Sequence, residues 1–148
     1  MTCRLLRPLL RKVDPVPRYD GETSSFGFED LDVYKAARAF RMRIYRLIQL
    51  LPPEEKFGLA QQMRRAAVSI TNNIAEGYGR HHWQENWQFC RHSRGSLMEL
   101  VADINVCLDQ EYADIDQLES LKKEDALSLL RLLNGYVNYL QKQKASKA

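Results

Sequence analysis

Apolar residues recur along most of this chain at alternating steps of four and three, the spacing that lines up one face of an α-helix. Val33, Ala37, Phe40, Ile44, Leu47 and Leu51 form the first such stripe, from about Asp30, and Pro52-Pro53 ends it. Leu59, Met63, Ala66, Ile70 and Ile74 form a second, in a helix that starts near Glu54 and is stopped by Gly77. After Gly77-Tyr78-Gly79, a third helix from about His82 carries Trp83, Trp87, Cys90, Leu97, Val101, Ile104 and Leu108. A break near Asp114 to Asp116 precedes a fourth, with Leu118, Leu121, Leu129, Leu132, Leu133, Tyr136 and Leu140. No stretch alternates with the period of two that strands require. The pattern predicts an all-α chain: an antiparallel up-down four-helix bundle over residues 28–143. Residues 1–27, broken by Pro8, Pro15, Pro17 and Gly21, form a loosely structured N-terminal extension, and residues 144–148 a frayed tail.

Two helices carry more apolar surface than one seam needs. Tyr34, Tyr45 and Ile48 lie to one side of the first stripe, and Val68 and Ala75 lie roughly opposite the second. Such surface usually marks association, so the pattern predicts a homo-oligomer. Gly95-Ser96, in the middle of the third helix, predicts a close backbone approach or a bend.

Composition adds little beyond a single globular domain: 148 residues, 45% hydrophobic, 28% charged, net charge +3. The distribution of charge is more informative. Residues 35–94 hold eleven basic side chains against four acidic, and residues 95–125 hold two against nine. That polarity suits a polyanion partner or contact between unlike faces of sister copies. Three scattered cysteines, Cys3, Cys90 and Cys107, without CxxC spacing point to a reducing compartment, and no apolar run approaches a membrane span. The expected location is the cytoplasm, with no membrane partner.

Candidate chemistry is sparse. His82, Cys90 and His92 fall on different helix faces, so they do not converge on a metal; none is expected. Gly77-x-Gly79 follows a helix rather than a strand, which is the wrong setting for a dinucleotide loop. Gly95-Ser96 lacks the G-x-S-x-G of a nucleophile elbow. No acid, base and nucleophile gather, and the chain is read as non-enzymatic, without cofactor.

The second helix offers two alternatives. Arg65, Ser69, Asn72 and Glu76 share a polar stripe, with Asn73 at its edge. One reading is a hydrogen-bonded network of Ser69, Asn72, Asn73 and Glu76 that ties neighbouring helices together. The other makes Arg64 and Arg65 phosphate contacts, joined by Arg38 and Arg41 of the first helix, Arg80 in the turn and Arg91 of the third helix. Tyr34 and Tyr45, beside these arginines, are either stacking surfaces or interface anchors.

Three runs resemble a known family. They are Phe28-Glu29-Asp30-Leu31-Asp32-Val33-Tyr34-Lys35-Ala36; Phe57-Gly58-Leu59 with Gln62-Met63-Arg64-Arg65-Ala66-Ala67-Val68-Ser69-Ile70 and Asn73-Ile74-Ala75-Glu76-Gly77-x-Gly79-Arg80; and Phe89 followed by Gly95-Ser96-x-x-Glu99-Leu100. Over residues 26–143 the chain resembles the four-helix-bundle proteins called 23S rRNA intervening-sequence proteins. It is also similar to the accessory variability determinant of diversity-generating retroelements. The resemblance implies a bacterial, cytoplasmic bundle that assembles into a ring, commonly a pentamer, with a positive surface. In the retroelement branch that ring binds a reverse transcriptase and nucleic acid. The function expected on these grounds is binding of RNA or DNA through a basic surface. The alternative is a protein-interaction scaffold, or an accessory subunit of a reverse transcriptase, without direct nucleic-acid contact.

Overall fold

The computed structural model describes residues 26–147; most of the predicted extension, with Cys3, lies outside the described residues. The elements are α1 (Asp32–Ile48), α2 (Leu59–Gly79), α3 (Trp83–Asp109), α4 (Ile115–Ser120) and α5 (Leu127–Ser146). Short 3-10 turns at Gly27–Asp30 and Pro53–Glu55 precede α1 and α2, and a π-helical turn, Leu121–Ala126, joins α4 to α5. Among the described residues there is no strand. α5 runs to Ser146, so residues 144–146 of the predicted frayed tail are helical.

The helices pack in a cycle: α1 on α2, α2 on α3, α3 on α5, and α5 back on α1. Along α2 and α3 the contacts fall in opposite order, with Gln62 meeting Asp103, Ser69 meeting Ser96 and Ile70 meeting Ser93. The core is one apolar cluster in which Ala37, Ile44, Leu47, Met63, Ile74, Leu97, Leu100, Ile104, Cys107, Leu118 and Leu133 are fully excluded from solvent. At one end Cys90, Val137 and Leu140 make a satellite cluster with half-buried Trp83, Trp87 and Tyr136.

Several expectations shift, each for an identifiable reason. Pro53 opens a 3-10 turn instead of α2, and the helix waits until Leu59, whose backbone N–H donates to Glu55 Oε2 at 3.0 Å. The other oxygen of that carboxylate accepts from Tyr112 Oη at 2.9 Å, tying the start of α2 to the loop after α3. Gly77 does not stop α2; it is buried within the last turn and meets α3, and the reversal is made by His81 at φ 53°. A non-glycine residue thus fills the left-handed position that usually closes a helix.

The seam of α3 is displaced from the predicted one. Asn86, Cys90, Ser93, Leu97, Leu100, Ile104 and Cys107 are buried at steps of four and three, while Trp83, Trp87, Val101 and Leu108 are only partly covered. In the fourth rod a continuous α-helix would carry the Leu118, Leu121 spacing on to Asp125. The π-turn inserts one residue, brings Ala126 into the core, and leaves Asp125 paired with Arg43 of α1. Leu132, predicted in the seam, is 40% exposed as a result.

The off-stripe apolar surface is also smaller than expected. Ile48 is buried in the core, and Tyr34 is half-covered by an edge-on contact from Phe28, ring centroids 4.9 Å apart. Exposed apolar side chains that remain include Tyr45, Phe57, Met98 and Val106.

Gly95 makes no close approach within the chain: it lies inside the unbroken α3, it is exposed, and a Cβ there would meet nothing within 4 Å. Gly95→Ala is therefore expected to stabilise the fold by about 0.5–1 kcal/mol, through the lower backbone entropy of the unfolded chain. Urea unfolding of the two proteins checks this. A destabilised variant would mean that Gly95 is covered by something beyond the protomer.

Candidate nucleic-acid interface

α2 lies between α1 and α3, and its outward face mixes long polar side chains, Gln61, Arg64, Arg65 and Glu76, with the shorter Val68, Ser69, Asn72 and Asn73. A shallow groove of about 1240 Å³ runs over α2, bounded by Tyr45 and Phe57 on one side and by Ser96 and Glu99 of α3 on the other. Its floor includes Gln61, Arg64, Arg65, Val68, Ser69, Asn72, Asn73 and Glu76. The predicted polar stripe of α2 is thus the floor of this groove.

Arg64 and Arg65 are both exposed and point about 100° apart, one to each side of the ridge. The Arg64 guanidinium lies 5.9 Å from the centre of the Tyr45 ring, a cation–π contact across α1 and α2. Neither arginine is in an ion pair among the described residues.

The other predicted phosphate contacts are dispersed. Arg41 donates from Nη1 to Thr71 Oγ1 at 2.8 Å and so links α1 to α2; Thr71 donates in turn to Val68 O at 3.0 Å. Arg38 stands a turn earlier on the same flank of α1, half-exposed. Arg80 pairs with Glu76 at 2.7 Å and lies over the Phe89 ring at 5.4 Å. Arg91 covers the Trp87 ring at 4.6 Å on α3, outside the groove. The structure therefore brings together Arg64 and Arg65, with Tyr45 beside them, and leaves Arg80 neutralised and Arg91 elsewhere.

The predicted polar network divides as well. Ser69 Oγ and Ser96 Oγ are 2.7 Å apart, and Asn73 Nδ2 donates to Ser69 Oγ at 3.0 Å and to Ser69 O at 2.8 Å. Only the Ser69–Ser96 contact crosses from α2 to α3; both Asn73 bonds stay within α2. Glu76 instead serves Arg80, and exposed Asn72 faces the open groove.

Beneath one wall lies a group the pattern did not single out. Asp103 is 4% exposed; its Oδ1 accepts from Gln62 Nε2 at 3.0 Å, and its Oδ2 has no partner among the described residues. Burial, and secondarily the nearby Glu99 carboxylate, raises its pKa to about 6. Burial likewise pushes the Cys90 thiol to about 12 and the Cys107 thiol to about 11, which makes both poor nucleophiles at neutral pH. Among the described residues no cluster of metal-ligating side chains forms, and no helix is long and apolar enough to cross a membrane.

Comparison with known proteins agrees with this architecture. The model of the family described as 23S rRNA-intervening sequence protein matches residues 29–135, and the chain belongs to that family. No curated protein matches the chain. Among solved structures, it is similar to a protein of unknown function from the S23 ribosomal protein family of Bacteroides thetaiotaomicron VPI-5482. The two are 24% identical, with a TM-score of 0.65, over 71% of this chain and 97% of that one. At that identity the likeness establishes the fold.

Proposed function

We propose that this member of the 23S rRNA-intervening sequence protein family is a non-enzymatic bundle that binds RNA, or another nucleic acid, through phosphate contacts on the α1–α2 face. The observation that supports this reading best is the pair Arg64 and Arg65. Two exposed guanidinium groups, without carboxylate partners among the described residues, flank the ridge of a long open groove, with an exposed tyrosine alongside. Such groups bind phosphate oxygens without reading bases, and the groove accommodates a backbone rather than a small ligand. The excess of basic residues over 35–94 extends the attraction beyond the groove.

Replacing both arginines, Arg64→Ala with Arg65→Ala, is expected to weaken binding of structured RNA by about one to two orders of magnitude at low salt. Thermal unfolding should change little, because neither side chain is buried. Filter retention alongside a melt separates the outcomes. Unchanged RNA affinity in a folded variant would rule out the assigned contacts.

A second reading is favoured by the groove's mixed lining. Glu76 and Glu99 share it with the arginines, and Phe57, 80% exposed, stands at its rim. Apolar and oppositely charged groups in one groove suit a helix of a sister copy, which would make the bundle a homo-oligomeric scaffold. That reading predicts assembly that dissolves at high salt when followed by sedimentation.

A further inference from the structure

At the other end of α3 lies a second concavity that the groove does not reach. It measures about 370 Å³, within the range of small-ligand clefts, and is lined by Trp83, Gln84 and Trp87 of α3 and by Leu140, Gln141, Lys144 and Ala145 of α5. Trp83, Trp87 and Arg91 follow one another at i, i+4 and i+8, so a single ridge carries two indoles and a guanidinium. Tyr139 meets Trp83 edge-on at 6.2 Å and stacks with Tyr136 at 6.3 Å. Lys147 Nζ sits 5.2 Å from the Trp83 ring, and the Arg91 guanidinium 4.6 Å from that of Trp87.

Two properties separate this cleft from an ordinary gap between helix ends. Its lining includes no acidic residue, and residues 126–148 contain none either, against Arg131, Lys142, Lys144 and Lys147. The Trp87 indole N–H is buried and has no acceptor among the described residues, an uncompensated donor that native structures normally avoid. Aromatic faces interleaved with cations are the surface on which unpaired bases stack while the backbone is held by charge. An acidic peptide would satisfy the lysines but would make little use of the indole faces.

We infer that the Trp83–Trp87 cleft is a stacking site for an unpaired nucleobase of a bound strand, with Lys144 and Lys147 holding the flanking phosphates. The inference rests on the nucleic-acid reading above but names a different surface, with a different chemistry: base faces here, phosphates alone in the α2 groove. Gln84 and Gln141 supply amide groups at the cleft for a base edge.

Trp83 and Trp87 are the chain's two tryptophans, so its indole fluorescence reports on this cleft alone. The test titrates the full chain at low salt with oligouridylate and with an abasic strand of equal length, following tryptophan emission and strand anisotropy together. The inference predicts quenching by oligouridylate and none by the abasic strand. It also predicts that Trp83→Ala weakens oligouridylate binding roughly five- to 150-fold, the range for one stacked base, whereas Trp83→Phe largely preserves it. Lys144→Glu with Lys147→Glu, both at exposed positions, should weaken it too without touching the core.

Equal binding of both strands with unchanged emission overturns the stacking site and leaves the phosphate reading intact. Failure of both strands to bind overturns both. Binding of oligouridylate to the full chain without any change in tryptophan emission also overturns the inference.

Discussion

Gly77→Ala is expected to destabilise the protein by about 1–3 kcal/mol, the usual penalty for adding a methyl group to a tightly packed contact. A Cβ at residue 77 would come within 2.8 Å of Asn86 Oδ1, 2.9 Å of Phe89 Cβ and 3.2 Å of Asn86 Cα. Two of these atoms belong to the backbone or its first carbon, so relief requires α2 and α3 to separate. Asn86 has little freedom to turn aside: its Nδ2 donates to Tyr136 Oη at 3.1 Å, and its Oδ1 accepts from Cys90 Sγ at 3.4 Å. The strain is therefore passed to a buried contact joining α2, α3 and α5. For a chain of this length the melting temperature should fall by several degrees. Gly95→Ala, the same substitution at an open site, is the internal control; similar losses at both positions would refute the packing argument.

The second large effect depends on pH. Burial makes ionisation of Asp103 unfavourable in the folded state, with its pKa near 6 against an ordinary 3.8. The unfolded chain releases this proton first as pH rises, so the residue's contribution to stability is complete below about pH 4 and is lost progressively up to about pH 6. Above that, the native state carries an ionised carboxylate, one oxygen of which has no partner among the described residues. The penalty is about 1–3 kcal/mol, the lower part of that range applying because exposed Gln62 and Glu99 admit water nearby. Asp103→Asn keeps an acceptor for Gln62 Nε2 and removes the charge. It should be more stable than the parent at pH 8, with the difference vanishing by pH 4. Denaturant unfolding at the two pH values checks this, and a constant difference would show that Asp103 is not the titrating group.

Both effects arise where the hydrophobic pattern was silent. The stripe Val33, Ala37, Phe40, Ile44, Leu47 could be read directly, because α1 buries one continuous apolar seam. So could the break at Asp114, whose side chain caps α4 by accepting from Asp116 N and Gln117 N. The phase of α3 was harder, because its seam includes Asn86 and Ser93, and Trp83 and Trp87 on the adjacent ridge gave a stronger apolar signal. Steps of four and three through Cys90, Leu97, Leu100, Ile104 and Cys107 are present in the sequence and fix the correct phase once polar residues are admitted. The π-turn had a local clue in Asp125, a charge due in the core, but its partner Arg43 lies 82 residues away.

The candidate interface was legible to a similar depth. Arg64 and Arg65 stand open because they flank the ridge of α2, which helical spacing predicts. That Arg80 is neutralised follows equally from spacing, since Glu76 precedes it by four residues. The Arg41 contact with Thr71 depends on how α1 and α2 meet, which no local pattern contains.

The slope of RNA affinity against salt, measured for the parent chain and for the variant carrying Arg64→Ala and Arg65→Ala, tests the central claim most directly. If the two guanidinium groups each neutralise one phosphate, log affinity should fall steeply with log salt in the parent. The slope should then become shallower by about 1.4–1.8 in the variant, two contacts at roughly 0.7–0.9 each. Affinity independent of salt, or parallel slopes for parent and variant, would contradict it.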